Sequence, residues 1–215
     1  MSGFSFTVDS AHAKEHNEFL KDQRRLQISA IVFGVVQVLV AGVFIWYTNQ
    51  AAWAWLLAAG LGVSALVSFS MVVIIPKKVG SAQHMYDSYE LVPAVIAKVN
   101  PRDMVLLALV DARVDRTEGN PAPALAARTI TNLSGHSRQE GERVPAVAVA
   151  GRRNLKHTGY WDEISPMPIA WGTPNPETIK QARNAIPQQQ WEQLRKHAGR
   201  IDEVLATPLN LLKLT

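Results

Sequence analysis

Two long apolar runs dominate the first third of the chain. They read LQISAIVFGVVQVLVAGVFIWYT (26–48) and AAWAWLLAAGLGVSALVSFSMVVII (51–75), and no charged residue occurs between Leu26 and Pro76. A bilayer core of about 30 Å needs roughly 20 helical residues, and a helix satisfies its own backbone hydrogen bonds in lipid. The pattern therefore predicts a transmembrane helical hairpin over residues 26–76, with helices at about 26–48 and 51–75.

The two ends of this hairpin differ in their side chains. Aromatic residues crowd the short turn TNQ, whereas basic residues flank the outer ends. The predicted membrane-interface anchors are Trp46, Tyr47, Trp53 and Trp55 at the turn, and Arg24, Arg25, Lys77 and Lys78 at the ends. Aromatic rings favour the headgroup layer, and Lys and Arg favour the cytoplasmic side of a membrane. We therefore predict a multi-pass plasma-membrane protein with both termini in the cytoplasm.

From Pro93 onward, short apolar runs of β type alternate with turn residues. The predicted strands are 94–99, 104–114, 124–133, 143–151 and 163–171. Five short strands favour a small antiparallel β-barrel of the OB or SH3-like kind, which we place at 93–173 in the cytoplasm. Proline cannot donate to a β-ladder, so we expect short or bulged strands at Pro145, Pro166 and Pro168.

Helical patterns flank these strands. Residues 1–25 predict a cytoplasmic amphipathic segment, capped at Asp9 or Ser10, that forms a surface helix or extends the first membrane span. Residues 77–92 predict a linker. Residues 174–215 predict helices that pack on the barrel, beginning with the cap and first-turn pair Asn175–Pro176. The final PLNLLKLT would dock on the barrel, on the bilayer or on another protein. The fold class is therefore an α+β membrane protein: a transmembrane hairpin, a barrel and C-terminal helices.

Composition removes several classes of function. The net charge of +4 comes partly from the basic residues beside the hairpin, and the chain has neither a basic stripe nor a nucleic-acid-binding motif, so we predict no nucleic-acid partner. The absence of cysteine excludes disulfides, thiolate catalysis and cysteine-ligated metals. No ionisable group lies at membrane depth, which disfavours an ion or proton pathway.

No established catalytic or phosphate-binding motif occurs in the chain. The best catalytic constellation is His136, His157, Asp162 and Glu163, all in predicted loops, but such residues are common in ordinary loops. His12 and His16 have helical i, i+4 spacing, which is a weak metal signal more typical of a solvated helix face. We therefore predict no catalytic residue, no metal site and no cofactor.

A cationic group is the better candidate for binding. Arg143, Arg152, Arg153 and Lys156 lie close together in sequence near one predicted strand. A domain tethered to the membrane would hold them near anionic lipid. The group predicts an anionic-headgroup site, with a solvated rim as the alternative.

The order of features resembles that of a known family. The segments FTVDSAHAKEHNEFLKDQRR, GERVPAVAVAGRR and EISPMPIAWGTPNP, around a charge-free hairpin, are similar to those of uncharacterised actinobacterial, chiefly corynebacterial, membrane proteins. The resemblance covers nearly the whole chain. It implies two membrane helices and a cytoplasmic β-barrel-like domain of unknown function, and it supplies no catalytic residues.

These observations predict a non-enzymatic, membrane-anchored adaptor or accessory subunit of a membrane or cell-envelope complex. Its partners would be membrane lipid and another membrane protein or a second copy of the chain. The alternative is a domain that binds a lipid headgroup or small ligand at the inner membrane surface. A hydrolase or transferase that uses His136 or His157 is a third, weaker interpretation.

Overall fold

The computed structural model describes residues 4–115, 117, 120–153 and 159–214, without the side chains of residues 76–79. The chain divides into two compact units. Met1–Glu18 and Ala82–Thr215 form the sheet unit, and Phe19–Ser81 form the hairpin unit. The helices are α1 (Ser10–His16), α2 (Glu18–Tyr47), α3 (Ala52–Val79), α4 (Ala82–Ser88), α5 (Pro176–Ala185), α6 (Gln188–His197) and α7 (Ile201–Leu205). The strands are β1 (Leu91–Val99), β2 (Met104–Asp111), β3 (Pro123–Ile130), β4 (Arg143–Ala150), β5 (Ile164–Pro168) and β6 (Leu211–Lys213).

The hairpin unit contains the two predicted helices. Both α2 and the Ala52–Ile75 part of α3 are long and apolar enough to cross a membrane, and most of their surface is not covered by protein. Residues 18–25 continue α2, which is the extension of the first membrane span that the sequence left open for the end of the N-terminal segment. The turn places Asn49 and Gln50 at positive φ, which gives the chain room to reverse within four residues.

Polar and small side chains join the two helices of the hairpin. The Gln37 amide Nε2 donates to Ser64 Oγ at 2.6 Å, and Gln27 Nε2 donates to the Val72 carbonyl at 3.0 Å. Gly34 lies against the ring of Phe69, so a side chain there would collide with the ring. Hydrogen bonds and close backbone approach are the means by which helices associate where water is absent.

The sheet unit contains one six-stranded antiparallel sheet in the order β5-β4-β1-β2-β3-β6. The sheet curls, so that β3 also packs against β5 and Arg128 Nη1 donates to Ser165 Oγ at 3.0 Å. The predicted five strands are present, and β6 is an additional strand that the sequence interpretation missed. The architecture is therefore α+β, with two long apolar helices before a curled, half-barrel sheet.

The prolines fit the ladder in two ways. Pro145 lies directly opposite Pro93, and since neither has an N–H, this pair occupies a place where the ladder exchanges no bonds. The strand β4 is therefore eight residues long and in continuous register at Pro145, where a short or bulged strand was expected. Pro166 and Pro168 lie on β5, which is short and at the edge of the sheet, as expected.

Both faces of the central strands are buried. Leu106 and Ile96, paired across β1 and β2, are fully buried on one face, and Leu107 on the other face is also fully buried. Helix α6 covers β1 and β2 with Trp191 and Leu194, and α5 packs against β4. Asn175 caps α5 by accepting from Glu177 N at 2.9 Å, with Pro176 in the first turn, as predicted.

The end of the described chain docks on the sheet. Leu211–Lys213 pairs with Ala124–Ala126 of β3, and Leu214 N donates to Pro123 O at 2.8 Å. Of the three surfaces left open for the terminal leucines, the structure therefore selects the sheet. Three residues are too few for a strand pattern to be visible in the sequence.

Candidate functional site

A groove of about 680 Å³ opens in the sheet unit. It lies where β1 and β2 separate: their paired residues stop at Ala94 and Ala108, and the groove extends past them. The lining combines an N-terminal arm, the end of α4, the nearby strand ends and one side of α6. The residues that carry its chemistry are Phe4, Phe6, Tyr86, Asp87, Tyr89, Glu90, Asp111, Arg113, Gln190 and Gln193.

The N-terminal arm, residues 4–9, is held beside the groove by backbone hydrogen bonds. Gln83 of α4 accepts from Val8 N at 2.8 Å and donates to Phe6 O at 2.9 Å. Asp9 N donates to Gly172 O at 2.9 Å, and the Asp9 side chain caps α1. The Gln83 side chain therefore binds both a backbone N–H and a backbone carbonyl of the arm, as the backbone of a neighbouring β-strand would.

Tyr86 forms the floor beneath this arm. Its hydroxyl donates to Pro168 O at 2.8 Å, and its ring meets Phe6 edge-on with 5.0 Å between ring centroids. Burial raises the pKa of the Tyr86 hydroxyl, because the anion would lose its hydration, while a hydrogen bond with Asn17 acts in the opposite direction. The hydroxyl is thus a neutral donor at every physiological pH.

An ion pair between Asp111 and Arg113 also lines the groove. Arg113 donates through Nε and Nη2 to the Asp111 carboxylate, with the shortest contact 2.6 Å, and both side chains are mostly buried. Burial acts to raise the pKa of Asp111, but hydrogen bonds from Arg113 and from Ala122 N outweigh it and place the pKa below its usual value. The pair is therefore ionised near neutral pH.

The groove carries a net negative charge. Its ionisable lining comprises three carboxylates, Asp87, Glu90 and Asp111, and one guanidinium, Arg113, which gives a formal charge of −2. The chain as a whole carries +4. The groove therefore has the opposite sign to the protein that contains it.

The predicted cationic group is divided by the fold. Arg143 begins β4, whereas Arg152 and Arg153 follow its end, a separation of about 25 Å along an eight-residue strand. Arg143 stacks on Trp191 at 5.3 Å and Arg153 on Trp161 at 5.8 Å, each from the guanidinium carbon to the ring centroid. Lys156 lies outside the described residues. The described members thus do not lie together at one strand end, and the anionic-headgroup site stays a prediction.

The predicted interface anchors are found where the hairpin turns. Trp46 and Tyr47 lie at the end of α2 and are 80% and 81% exposed. Trp53 and Trp55 lie in the first turn of α3, and each is more than half exposed. Arg24 and Arg25 lie in the first turns of α2, and Arg25 approaches Asp22 at 3.6 Å. Lys77 and Lys78 fall within α3, and their side chains are outside the described part.

The predicted catalytic constellation is not assembled among the described residues. His136 instead pairs with Glu142, a residue the sequence interpretation missed: Nδ1 lies 3.1 Å from Glu142 Oε1, and Ser137 Oγ donates to Glu142 Oε2 at 2.9 Å. Arg183 of α5 also donates to Glu142, at 3.4 Å. His157 lies outside the described residues, and Asp162 and Glu163 lie beyond β4, where the backbone N–H of each donates to Arg152 O.

This pairing fixes the state of His136. An ionised carboxylate only accepts, so Nδ1 carries the hydrogen and Nε2 is a buried lone pair with no hydrogen-bond partner. Burial lowers the pKa of His136, the Glu142 contact partly offsets this, and Arg183 lowers it further. For Glu142, burial raises the pKa, but the bonds from His136 and Ser137 outweigh it, so its pKa is lowered.

We expect these two groups to make the sheet unit sensitive to acid. Below pH 6.5 the unfolded chain protonates His136 while the folded chain does not, so stability falls as pH falls through that value. Below pH 4.5 the same holds for Glu142. Urea unfolding of the full chain in detergent at stepwise pH measures this loss.

A matched pair of variants isolates the histidine contribution. His136→Asn keeps a donor toward Glu142 and removes the titration, so it should flatten the part of the curve near pH 6.5. His84→Asn, at an exposed histidine of α4, makes the same substitution away from Glu142 and is the matched control. Equal curves for His136→Asn and the parent chain would contradict the assignment.

The paired histidines of α1 have structural contacts. His12 Nε2 donates to Ala170 O at 2.9 Å, and His16 stacks on His12 with 4.1 Å between ring centroids. Among the described residues, no group of three or more His, Cys, Asp or Glu is placed to hold a metal ion. His12 thus fastens α1 to the 3-10 helix Ile169–Trp171.

Comparison with known proteins places this fold in a family. The model of a protein family described as "Protein of unknown function (DUF3239)" matches residues 77–202. The chain belongs to this family. Most of the groove lies within the DUF3239 match, but the N-terminal arm and β6 lie outside it.

One solved structure is similar. It is described as "a putative membrane protein from Corynebacterium diphtheriae", is 49% identical, and superposes with a TM-score of 0.55 over 58% of this chain and 100% of that chain. Both findings agree with the resemblance to corynebacterial membrane proteins. No curated protein matches the chain.

Proposed function

We propose that this DUF3239 protein is a non-enzymatic adaptor that is anchored in the membrane by α2 and α3 and binds a partner protein through the sheet unit. The observation that supports this is the groove, whose volume falls in the range of specific binding sites. Its occupant is an extended segment of the partner that carries Lys or Arg. The complex is a membrane or cell-envelope assembly.

Charge supports a basic occupant. A lining with a formal charge of −2 attracts a cationic segment and repels anionic ones, including lipid phosphates. Asp111 is paired with Arg113, and the other two carboxylates of the groove are Asp87 near the end of α4 and Glu90 between α4 and β1. A basic side chain would meet these two carboxylates first.

Aromatic rings support the same occupant. Phe4, Phe6 and Tyr86 form a continuous wall, with centroid distances of 5.8 Å and 5.0 Å between successive rings. Ring faces attract Lys and Arg, and they also receive the apolar stems of these side chains. Carboxylates beside aromatic rings therefore suit both parts of a basic side chain.

The orientation of the anchor is part of the proposal. Aromatic residues at the α2–α3 turn and basic residues at the opposite ends support a turn outside the plasma membrane and a sheet unit in the cytoplasm. The chain lacks cysteine, so single cysteines report unambiguously. Asn49→Cys should react with an impermeant maleimide on intact cells, and Arg200→Cys should react only after permeabilisation; the reverse result would contradict the orientation.

We propose that the curled sheet has an OB-like topology. It is supported by the meander β1-β2-β3, by β4 on the other side of β1, and by β5 packed near β3. This is the order in which a five-stranded OB barrel closes. In this chain β6 pairs with one half of β3, so the two edges of the sheet are not joined by a ladder.

Photo-crosslinking in native membranes tests the proposed function. A photoreactive residue at Tyr89, in the groove, should capture a partner protein, and one at Glu177, exposed on α5, should not. Asp87→Lys with Glu90→Lys should reduce the Tyr89 product at least ten-fold, because two attractive contacts become repulsive. The matched control, Glu177→Lys with Glu192→Lys, makes the same change of charge outside the groove.

Three outcomes contradict the proposal. They are no protein captured from position 89, equal capture after charge reversal in the groove, and equal loss with the control pair. Capture of lipid from position 89 would favour the alternative class, a domain that binds a lipid headgroup at the inner membrane surface, for which the sequence offered Arg143, Arg152, Arg153 and Lys156. That alternative has less support because Arg143 lies at the opposite end of β4 from Arg152 and Arg153.

A further inference from the structure

The strand β6 is held to the sheet by few contacts. Its ladder with β3 comprises three residue pairs, Ala124 with Lys213, Leu125 with Leu212 and Ala126 with Leu211. One further backbone bond, from Leu214 N to Pro123 O, follows. The side chains of Leu211 and Leu212 are only half-buried, and the exposed Lys213 places its Nζ 4.3 Å from the centroid of the Tyr160 ring, so less apolar surface fastens this strand than the buried inner strands.

The connection that leads into β6 is strained. Leu209 has φ 59° and Asn210 has φ 53°, two consecutive left-handed residues that are not glycine. Asn tolerates this conformation, but for Leu it shifts a local equilibrium by a factor of about 5 to 30 toward other conformations. Leu209 is also 40% exposed. An extended connection would release this strain.

The place that β6 fills on β3 cannot remain empty without cost. Without β6, the backbone N–H and C=O groups of Ala124–Ala126 would be unpaired at an open sheet edge. Such an edge can pair with a strand of another chain. The β6 of a second copy has the same sequence, so it can form the same three residue pairs with β3. The residues that lead into that β6, including Leu209 and Asn210, would then be extended. The membrane helices confine copies to one plane, which raises their effective concentration.

We propose that two copies of this chain exchange β6, so that β6 of one protomer pairs with β3 of its partner. This exchange joins protomers by an element outside the family match, and no residue of β6 lines the groove. It therefore stands independently of the proposed adaptor function.

Engineered cysteines test the exchange in native membranes, because the chain has none of its own. Ala124→Cys and Lys213→Cys are made in separate, differently tagged chains that are produced together and oxidised. These residues are directly opposed, so a disulfide between the two chains should form. The matched control is Ala94→Cys and Ala108→Cys, an opposed pair on β1 and β2 that no exchange of β6 would separate.

Each outcome decides the matter. A disulfide between the first two chains, with none between the control chains, supports exchange. Leu209→Gly should lower the yield of that disulfide about five-fold or more, because glycine adopts the left-handed conformation freely. Closure only within one chain that carries both Ala124→Cys and Lys213→Cys would overturn the proposal. Absence of any disulfide, or an equal yield in the control, would also overturn it.

Discussion

Replacing Trp171 by alanine is expected to lower the free energy of unfolding of the sheet unit by about 3–5 kcal/mol. Trp171 is fully buried in the short helix after β5, and its indole Nε1 donates to Asn132 O at 3.0 Å. Arg128 stacks on the ring at 5.4 Å from the centroid. The substitution leaves a cavity and removes the donor to the Asn132 carbonyl. The loss is large because native proteins have a total unfolding free energy of only about 5–15 kcal/mol.

Urea unfolding of the full chain in mild detergent, followed by near-ultraviolet circular dichroism, measures this loss. Trp161→Ala is the matched control, because that ring is only half-buried and contacts Arg153 at the surface. The control should lose much less than Trp171→Ala. Equal losses for the two variants would show that Trp171 does not organise the core.

Replacing Gly172 by alanine should cost about 1–3 kcal/mol, the usual effect of overpacking. A Cβ at this position would lie 2.6 Å from Cε2 of Tyr86 and 3.0 Å from Cζ of Phe6. The Tyr86 ring cannot retreat without breaking its bond to Pro168 O, and Gly172 O also holds Asp9 N. We therefore expect the N-terminal arm to leave the groove.

Hydrogen exchange at the Val8 and Asp9 amides distinguishes this local effect from global unfolding. Both amides should lose protection in Gly172→Ala while the β2 amides keep theirs. Gly199→Ala is the control, since no atom lies within 4 Å of a Cβ at that position. Retained protection of Val8 in Gly172→Ala would refute the proposed role of this glycine in seating the arm.

The candidate site was only partly visible in the sequence. The acidic residues of the groove lie in α4, just before β1 and at the end of β2, with 24 positions from Asp87 to Asp111, and none of these segments has a motif. Their proximity depends on how β1 and β2 separate beyond Ala94 and Ala108, which follows from sheet curvature and not from residue spacing. The arm at Phe4 and Phe6 gave no signal, because a backbone clamp by Gln83 has no sequence pattern.

The histidine and arginine predictions show the same limit. Residues near in sequence were grouped, but an extended strand carries the chain about 25 Å, which separates Arg143 from Arg152. The turn from Gly135 to Gly141, both at positive φ, folds His136 back toward Glu142, and α5 then brings Arg183 to the same carboxylate. Only the folded backbone creates this cluster.

The sequence alone determined the two apolar helices, the α5 cap at Asn175 and five of the six strands found in the described residues. Each of these depends on local periodicity or on a residue type that leaves one choice, such as uncharged runs too long for anything but a helix in lipid. The tertiary structure decided the curl of the sheet, the groove, the His136–Glu142 pair and the docking of β6. These arise from contacts between distant segments, whose energies depend on packing geometry that no short stretch of the chain encodes.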